Sequence, residues 1–265
     1  MTIKPVLSHL DHRGVLAITL NRPEVGNAYN GALIEALLAA LAEFADTAGV
    51  RALLLAGNGR HFQAGADLTW VRELASHGSE EENLGASRAT AALVDRLNRL
   101  PIPTIALVQG GCFGGGTGII AACDIVIAAE DAIFSIAEVR WGLTAAIILP
   151  QLSDAISARQ LRRYALTGER FGAAEALRLG LVHKLVAAHE LAGAGEAMLA
   201  CLLSNGPSAM AQSKAAALKS AWGGLPAAEL EQLVVAHARQ RRSAEAAEGL
   251  SAFAEKRAPD WSKIG

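Results

Sequence analysis

Apolar residues fall in short blocks through the first two thirds of the chain and then recur at helical spacing almost without interruption to its end. The blocks at 6–10, 15–20, 52–56, 104–108 and 125–129 have the length and the Val, Ile and Leu content of β-strands. Between them, 33–47 puts Leu33, Leu37, Leu41 and Phe44 on one helical face, and 68–76, 86–100 and 173–179 are read as helices by the same spacing. This alternation predicts an α/β fold for residues 1–195. From Leu191 onward only helical periodicity remains, with Pro207 placed to open one helix and Leu225-Pro226 another, so 196–265 is expected to form a helical region of its own. The polar stretch 77–83 predicts an exposed connection, either a mobile loop beside a site or an ordinary solvated one.

One segment breaks the pattern. Gly110-Gly111-Cys112-Phe113-Gly114-Gly115-Gly116-Thr117-Gly118 follows directly on the 104–108 strand. Such a cluster is tolerated where the backbone must turn tightly or let a ligand approach bare N–H groups. A phosphate P-loop needs Lys and then Ser/Thr after its second glycine, whereas Thr117 and Gly118 stand there. A dinucleotide fingerprint fits Gly116-Thr117-Gly118-Ile119-Ile120-Ala121, but the next strand begins too soon to leave room for a crossover helix. The remaining reading is an oxyanion hole at the N-terminus of a short helix, 115–123, with a tight structural turn as the plain alternative. A second small-residue loop lies upstream in His61-Phe62-Gln63-Ala64-Gly65-Ala66-Asp67-Leu68, where Asp67 is placed to cap the helix that follows.

Together these loops resemble the enoyl-CoA hydratase/isomerase (crotonase) family, and the resemblance runs along nearly the whole chain. It is carried by Asn21-Arg22-Pro23-Glu24 with Asn27-Ala28, by 62–68, by Pro103-Thr104 leading to Gly114-Gly115-Gly116, by Cys123-Asp124-Ile125, by 134–138, by Leu166-Thr167-Gly168-Glu169, and by Ala174-Glu175-Ala176 through Gly180-Leu181-Val182. It implies a crotonase-like α/β spiral of ββα units with a C-terminal helical trimerisation region: residues 1–195 would hold the coenzyme A and acyl sites, and 196–265 would oligomerise. It implies that a thioester oxygen sits between the backbone N–H groups of Ala66 and Gly115, and that Glu138 in Phe134-Ser135-Ile136-Ala137-Glu138 is the acid/base. The family's hydratases carry a second glutamate just after the glycine turn, where this chain has Gly118. A glycine moves no proton, so Glu138 would act alone.

Coenzyme A contacts carry over to Glu24, Val25 and Gly26, to Ala64, Asp67 and Leu68, and to Phe253 and Lys256; Lys256 and then Arg22 are the expected phosphate partners. No separate cofactor is implied, since coenzyme A is part of the substrate. The segments 132–141, 145–150, 162–167 and 248–261 are similar to bacterial hydratases of branched glutaconyl-CoA esters. The resemblance therefore implies hydration of such a thioester, with a double-bond isomerisation as the alternative. An apolar wall from Leu143, Ile147 and Ile148, with space left by Gly142, Ala145 and Ala146, would favour isohexenylglutaconyl-CoA over 3-methylglutaconyl-CoA; the plain reading is that these small residues only permit close packing. Arg72, Arg88 and Arg140 are candidates for the distal carboxylate, Arg72 first.

Composition narrows the partners. The 265 residues are 52% hydrophobic and 19% charged, which argues against disorder. A net charge of −2 gives no basis for nucleic-acid binding or attraction to an anionic membrane. Cys112, Cys123 and Cys201 form no C-x-x-C and the histidines no zinc spacing, so no metal is expected and the thiols read as reduced. The N-terminal residues lack a signal-peptide core and no apolar run reaches membrane-spanning length, so a cytoplasmic enzyme is expected; the resemblance implies that it assembles as a trimer or dimer of trimers.

Overall fold

The computed structural model describes residues 4–45, 47, 49–222 and 226–260. Leu225 and Trp261, which figure in the sequence reading, lie outside the described residues. Strands β1 (Val6–Leu10), β2 (Val15–Leu20), β3 (Ala52–Gly57), β4 (Thr104–Val108) and β6 (Ile125–Ala129) lie side by side in one sheet, closed at its far edge by β9 (Lys184–Val186). The β1–β2 hairpin is antiparallel and every later pairing in this sheet is parallel. Every residue of β4 is buried, as a parallel strand covered on both faces requires.

A second, smaller sheet of β5 (Gly111–Phe113), β7 (Ile133–Ser135) and β8 (Phe171–Gly172) was not foreseen, because its strands are two or three residues long. The chain visits both sheets in turn: β4 then β5 before helix α4 (Gly115–Ala121), β6 then β7 before the next helices. That repeat is the expected spiral of ββα units. Isolated parallel bridges from Tyr29 to Ala66 and from Gln63 to Cys112 extend the small-sheet pairing to the earlier loops.

Helix α1 (Gly31–Ala45) and helix α3 (Glu80–Arg99) cover one face of the large sheet through Leu33, Ile34, Leu37, Leu93, Val94 and Leu97. Helix α8 (Leu191–Leu203) covers the other with Leu191 and Leu199 against Ile105, Leu107 and Ile127. The expected polar connection 77–83 is much shorter than its composition suggests. Helix α2 (Leu68–His77) runs to His77 and α3 starts at Glu80, because the Ser79 hydroxyl accepts from the Glu82 N–H at 3.1 Å while the Glu82 carboxylate accepts from the Ser79 N–H at 2.7 Å. This reciprocal cap satisfies two orphan donors and lets a charged sequence start a helix.

Helices α5 (Leu149–Ile156), α6 (Ala158–Thr167), α7 (Ala173–Leu179) and α9 (Pro207–Trp222) complete the body, and α9 does begin at Pro207. Helices α10 (Ala227–Arg241) and α11 (Ala244–Ala254) do not stand apart from it. Helix α10 lies along α3, and α11 packs on α2 and on the turn at Glu138–Trp141. Among the described residues no helix is long and apolar enough to cross a membrane, and no group of His, Cys, Asp and Glu is arranged to hold a metal.

Candidate active site

The two loops singled out by their small residues touch. A Cβ placed on Gly65, whose φ is +90°, would stand 3.1 Å from the Phe113 carbonyl oxygen, so glycine there permits the approach. The upstream loop is tied to the chain before α1: Tyr29 N–H donates to the Gly65 carbonyl at 2.9 Å, and Asp67 N–H donates to the Tyr29 carbonyl at 2.8 Å. Between those bonds, Ala66 N–H meets no protein acceptor among the described residues. In the glycine turn, Gly114 N–H donates to the Ser135 carbonyl at 2.8 Å, and the backbone turns at Gly114 with φ 51° and ψ −123°. Gly115 then opens α4, so its N–H also has no intrahelical acceptor and points out of the positive end of the helix.

Glu138 starts a short 3₁₀ turn, Glu138–Trp141, directly beyond β7. Its Oε1 lies 2.9 Å from where a Cβ on Gly114 would stand, so glycine at 114 leaves the carboxyl its space. The Oε2 atom is buried without a hydrogen-bond partner. Burial pushes the carboxyl up to about 7, since a charge there is poorly solvated. Tyr29 stacks its ring against Gly115, and burial raises its phenol to about 12, so it stays protonated at neutral pH. At Gly118, a Cβ would overlap Ile148 Cγ2 and stand 2.5 Å from Ile148 Cβ. The position at which the family's second carboxylate would stand is filled by a packed isoleucine.

These groups border two joined spaces. An inner chamber of about 90 Å³ is lined by Tyr29, Ala66, Val71, Gly114, Glu138, Leu143, Thr144, His237 and Arg241 among others. An outer cleft of about 440 Å³ shares Ala64, Ala66, Leu68, Phe113, Ala137 and Trp141 with it and adds Val25, Asp67, Arg140, Arg170 and Phe253. The structure thus brings Ala66 and Glu138 to the chamber, with Gly115 one residue beyond its wall, and Val25, Ala64, Asp67, Leu68 and Phe253 to the cleft. Phe253 packs edge-on to Trp141 with ring centroids 5.2 Å apart.

Other expected contact residues lie outside the cleft lining. Glu24 is exposed and does not line the cleft, Gly26 packs instead against the Ala64 side chain, and Lys256 is an exposed residue in a left-handed turn at φ 55°. Arg22 is committed to protein: it donates to the Ala28 carbonyl at 2.6 Å and meets Asp67 at 3.2 Å, fixing the loop that Asp67 also caps through Thr69 N–H. Arg140 and Arg170 are the arginines that border the cleft. Of the arginines expected to receive a distal carboxylate, Arg72 is exposed, Arg88 pairs with Glu231 at 2.5 Å on the surface, and Arg140 lies outside the chamber.

The expected apolar wall also shifts. Leu143 lines the chamber, but Ala145, Ala146, Ile147 and Ile148 are buried in packing, Ile148 over Gly118, while Gly142 lies against the backbone of Glu245 and Ala246. Here the plain reading, close packing, is what the structure has. Cys112 is fully buried and its thiol is pushed well up, which leaves no reactive thiolate in the glycine turn.

Sequence reasoning missed Tyr29, Arg170, His237 and Arg241. The last two carried a signal, because Val234, His237, Ala238 and Arg241 fall at i, i+3, i+4 and i+7 on one face of α10, where an apolar stripe would be expected.

Known proteins resemble this chain along nearly its whole length. The family model described as enoyl-CoA hydratase/isomerase matches residues 11–263. The chain is 39% identical to an enoyl-CoA hydratase of Shewanella pealeana in a crystal structure, covering 97% of this chain and 96% of that one at a TM-score of 0.77. It is 39% identical to Pseudomonas aeruginosa AtuE, covering 97% and 99% at a TM-score of 0.79. It is also 32% identical over 264 residues to a carnitinyl-CoA dehydratase of Salmonella typhi, covering 96% of this chain and 97% of the relative.

Proposed function

The chain belongs to the enoyl-CoA hydratase/isomerase family, and from that premise we propose that it hydrates a glutaconyl-CoA thioester bearing a compact branch at its β-carbon. It is an enzyme of the hydro-lyase type acting on acyl-CoA thioesters. The observation that carries the reading is the placement of one buried carboxyl, its Oε2 without a hydrogen-bond partner, beside two backbone N–H groups that meet no acceptor among the described residues. The outer cleft takes the coenzyme A, with Val25, Ala64, Asp67, Leu68 and Phe253 along it and Arg140 and Arg170 as cations for its phosphates.

In this mechanism Ala66 and Gly115 donate to the thioester oxygen. The Glu138 carboxylate takes a proton from water as the water oxygen bonds to Cβ, and the π electrons move through Cα to the thioester oxygen, giving an enolate. The carboxyl then returns that proton to Cα, restoring the carboxylate. A group near pKa 7 suits both halves of this cycle. Each oxyanion donor is worth roughly 3–4 kcal/mol of barrier. The presence of one carboxyl, with no space at Gly118 for another, equally suits a double-bond isomerisation in which Glu138 moves a proton between two carbons. We also take the enzyme to be a homotrimer or a dimer of trimers.

The preference for a long β-substituent loses its support, because Ala145 to Ile148 do not face the chamber. The chamber itself is small, about 90 Å³. The expected result is that kcat/KM for 3-methylglutaconyl-CoA exceeds that for isohexenylglutaconyl-CoA by at least roughly tenfold, the equivalent of 1.4 kcal/mol. A panel of glutaconyl-CoA esters differing only at Cβ measures this, and a rate that rises with substituent length would overturn the compact-branch reading.

A further inference from the structure

Arg241 is a buried cation without a counterion among the described residues. It is 3% exposed, it forms no ion pair among the described residues, and its Nη1 has no hydrogen-bond partner. Its guanidinium lies 5.6 Å over the Trp70 ring, and its Nη2 lies 3.3 Å from His237 Nδ1. Removing a guanidinium from water is costly unless a charge or several hydrogen bonds replace the lost hydration. One imidazole and one aromatic face do not suffice. Both Arg241 and His237 border the chamber that holds Glu138.

The proton arrangement at this end of the chamber follows from the chemistry of arginine. A guanidinium can only donate, so His237 Nδ1 accepts from it, and the neutral ring carries its proton on Nε2. Ser87 Oγ, 3.1 Å from the same Nδ1, donates its own proton to the Asn83 carbonyl at 3.0 Å and so leaves that assignment unchanged. His237 is held neutral by burial and by the Arg241 charge. The two residues thus bring donors to the lining of the chamber, Arg241 with an Nη1–H that has no partner and His237 with its Nε2–H, and no carboxylate pairs with Arg241 among the described residues. The other titratable groups bordering it are Tyr29, a protonated phenol, and Glu138.

We propose that Arg241, oriented by His237, receives a carboxylate at the far end of the acyl chain, so that the enzyme selects thioesters of short dicarboxylic acids over neutral acyl chains of equal length. The proposal rests on reading the chamber as the acyl site and names the group that determines its specificity. The C-terminal helices would then complete the acyl pocket, since α10 supplies both residues.

Binding and turnover test this separately. Isothermal titration of the wild-type enzyme with two saturated thioesters, glutaryl-CoA and pentanoyl-CoA, requires no hydration. The expected result is at least roughly tenfold tighter binding of glutaryl-CoA; equal or weaker binding would overturn the proposal whatever the reaction catalysed. In Arg241→Met the ratio of the two dissociation constants, and the ratio of kcat/KM for glutaconyl-CoA against pent-2-enoyl-CoA, should both collapse toward unity, and Arg241→Lys should recover part of each. If Arg241→Met lowers both members of each pair alike and keeps their ratio, the residue serves the fold and not the substrate's carboxylate. If no enoyl thioester is hydrated while the glutaryl preference holds, the anion site stands and the hydratase reading fails.

Discussion

Glu138→Gln is expected to keep the fold while lowering turnover by roughly 10²–10⁴, the usual span for a general acid/base. The amide is nearly isosteric, fits the space beside Gly114, and can neither take the proton from water nor return it to Cα. The same variant has a stability signature of definite sign. The carboxyl is raised from an ordinary 4.5 to about 7 by burial, so the folded state holds its proton more tightly than the unfolded chain does. The native state binds more protons between those values, and its stability falls as pH rises through that window. Above pH 7 the penalty is fully present and amounts to about 3 kcal/mol. Glu138→Gln should therefore melt several degrees above wild type at pH 8 and at the same temperature at pH 4. Calorimetry at the two pH values checks this, alongside steady-state rates. Turnover above about a tenth of wild type would remove Glu138 from the mechanism.

Gly118→Glu is expected to unfold the protein or cost more than about 4 kcal/mol. The new Cβ would overlap Ile148 within the buried stretch Gly115 to Ile120, and the carboxylate behind it would lose its water without gaining a partner. Gly118→Ala, with the Cβ alone, should cost about 1–3 kcal/mol by overpacking. Urea denaturation of the two variants gives both numbers. A stable Gly118→Glu enzyme with raised activity on crotonyl-CoA would show that the second carboxylate is merely absent from a vacant place, contrary to the packing described here.

Much of this was legible in the chain because the signals were local. The five longer strands, α1, α4 and the helix capped by Asp67 follow from periodicity and from single residues with clear backbone roles. The two loops declared themselves through glycines that only a close approach or an unusual backbone angle requires, Gly65 and Gly114 among them. What stayed hidden depends on contacts distant in sequence. The strands β5, β7 and β8 are too short for any periodic pattern and exist through their pairing with one another. Charged residues at 80–82 masked a helix start that the Ser79–Glu82 cap makes favourable. Arg241 meets Trp70 across some 170 residues of chain, and the spacing of α10 identifies an interrupted face without saying what that face covers. Most of the expected acyl wall failed for the opposite reason: small residues serve close packing and cavities equally well, and Gly142, Ala145 and Ala146 serve packing here.

The central claim is that Glu138 adds water to a carbon–carbon double bond whose charge is held by Ala66 and Gly115. The most direct measurement is mass spectrometry of the thioester after wild-type enzyme has acted on 3-methylglutaconyl-CoA in water enriched in oxygen-18. Hydration predicts a product that has gained the elements of water with its new oxygen drawn from the labelled solvent. A product of unchanged mass with a displaced double bond and no solvent oxygen would contradict the account and leave the isomerase in its place.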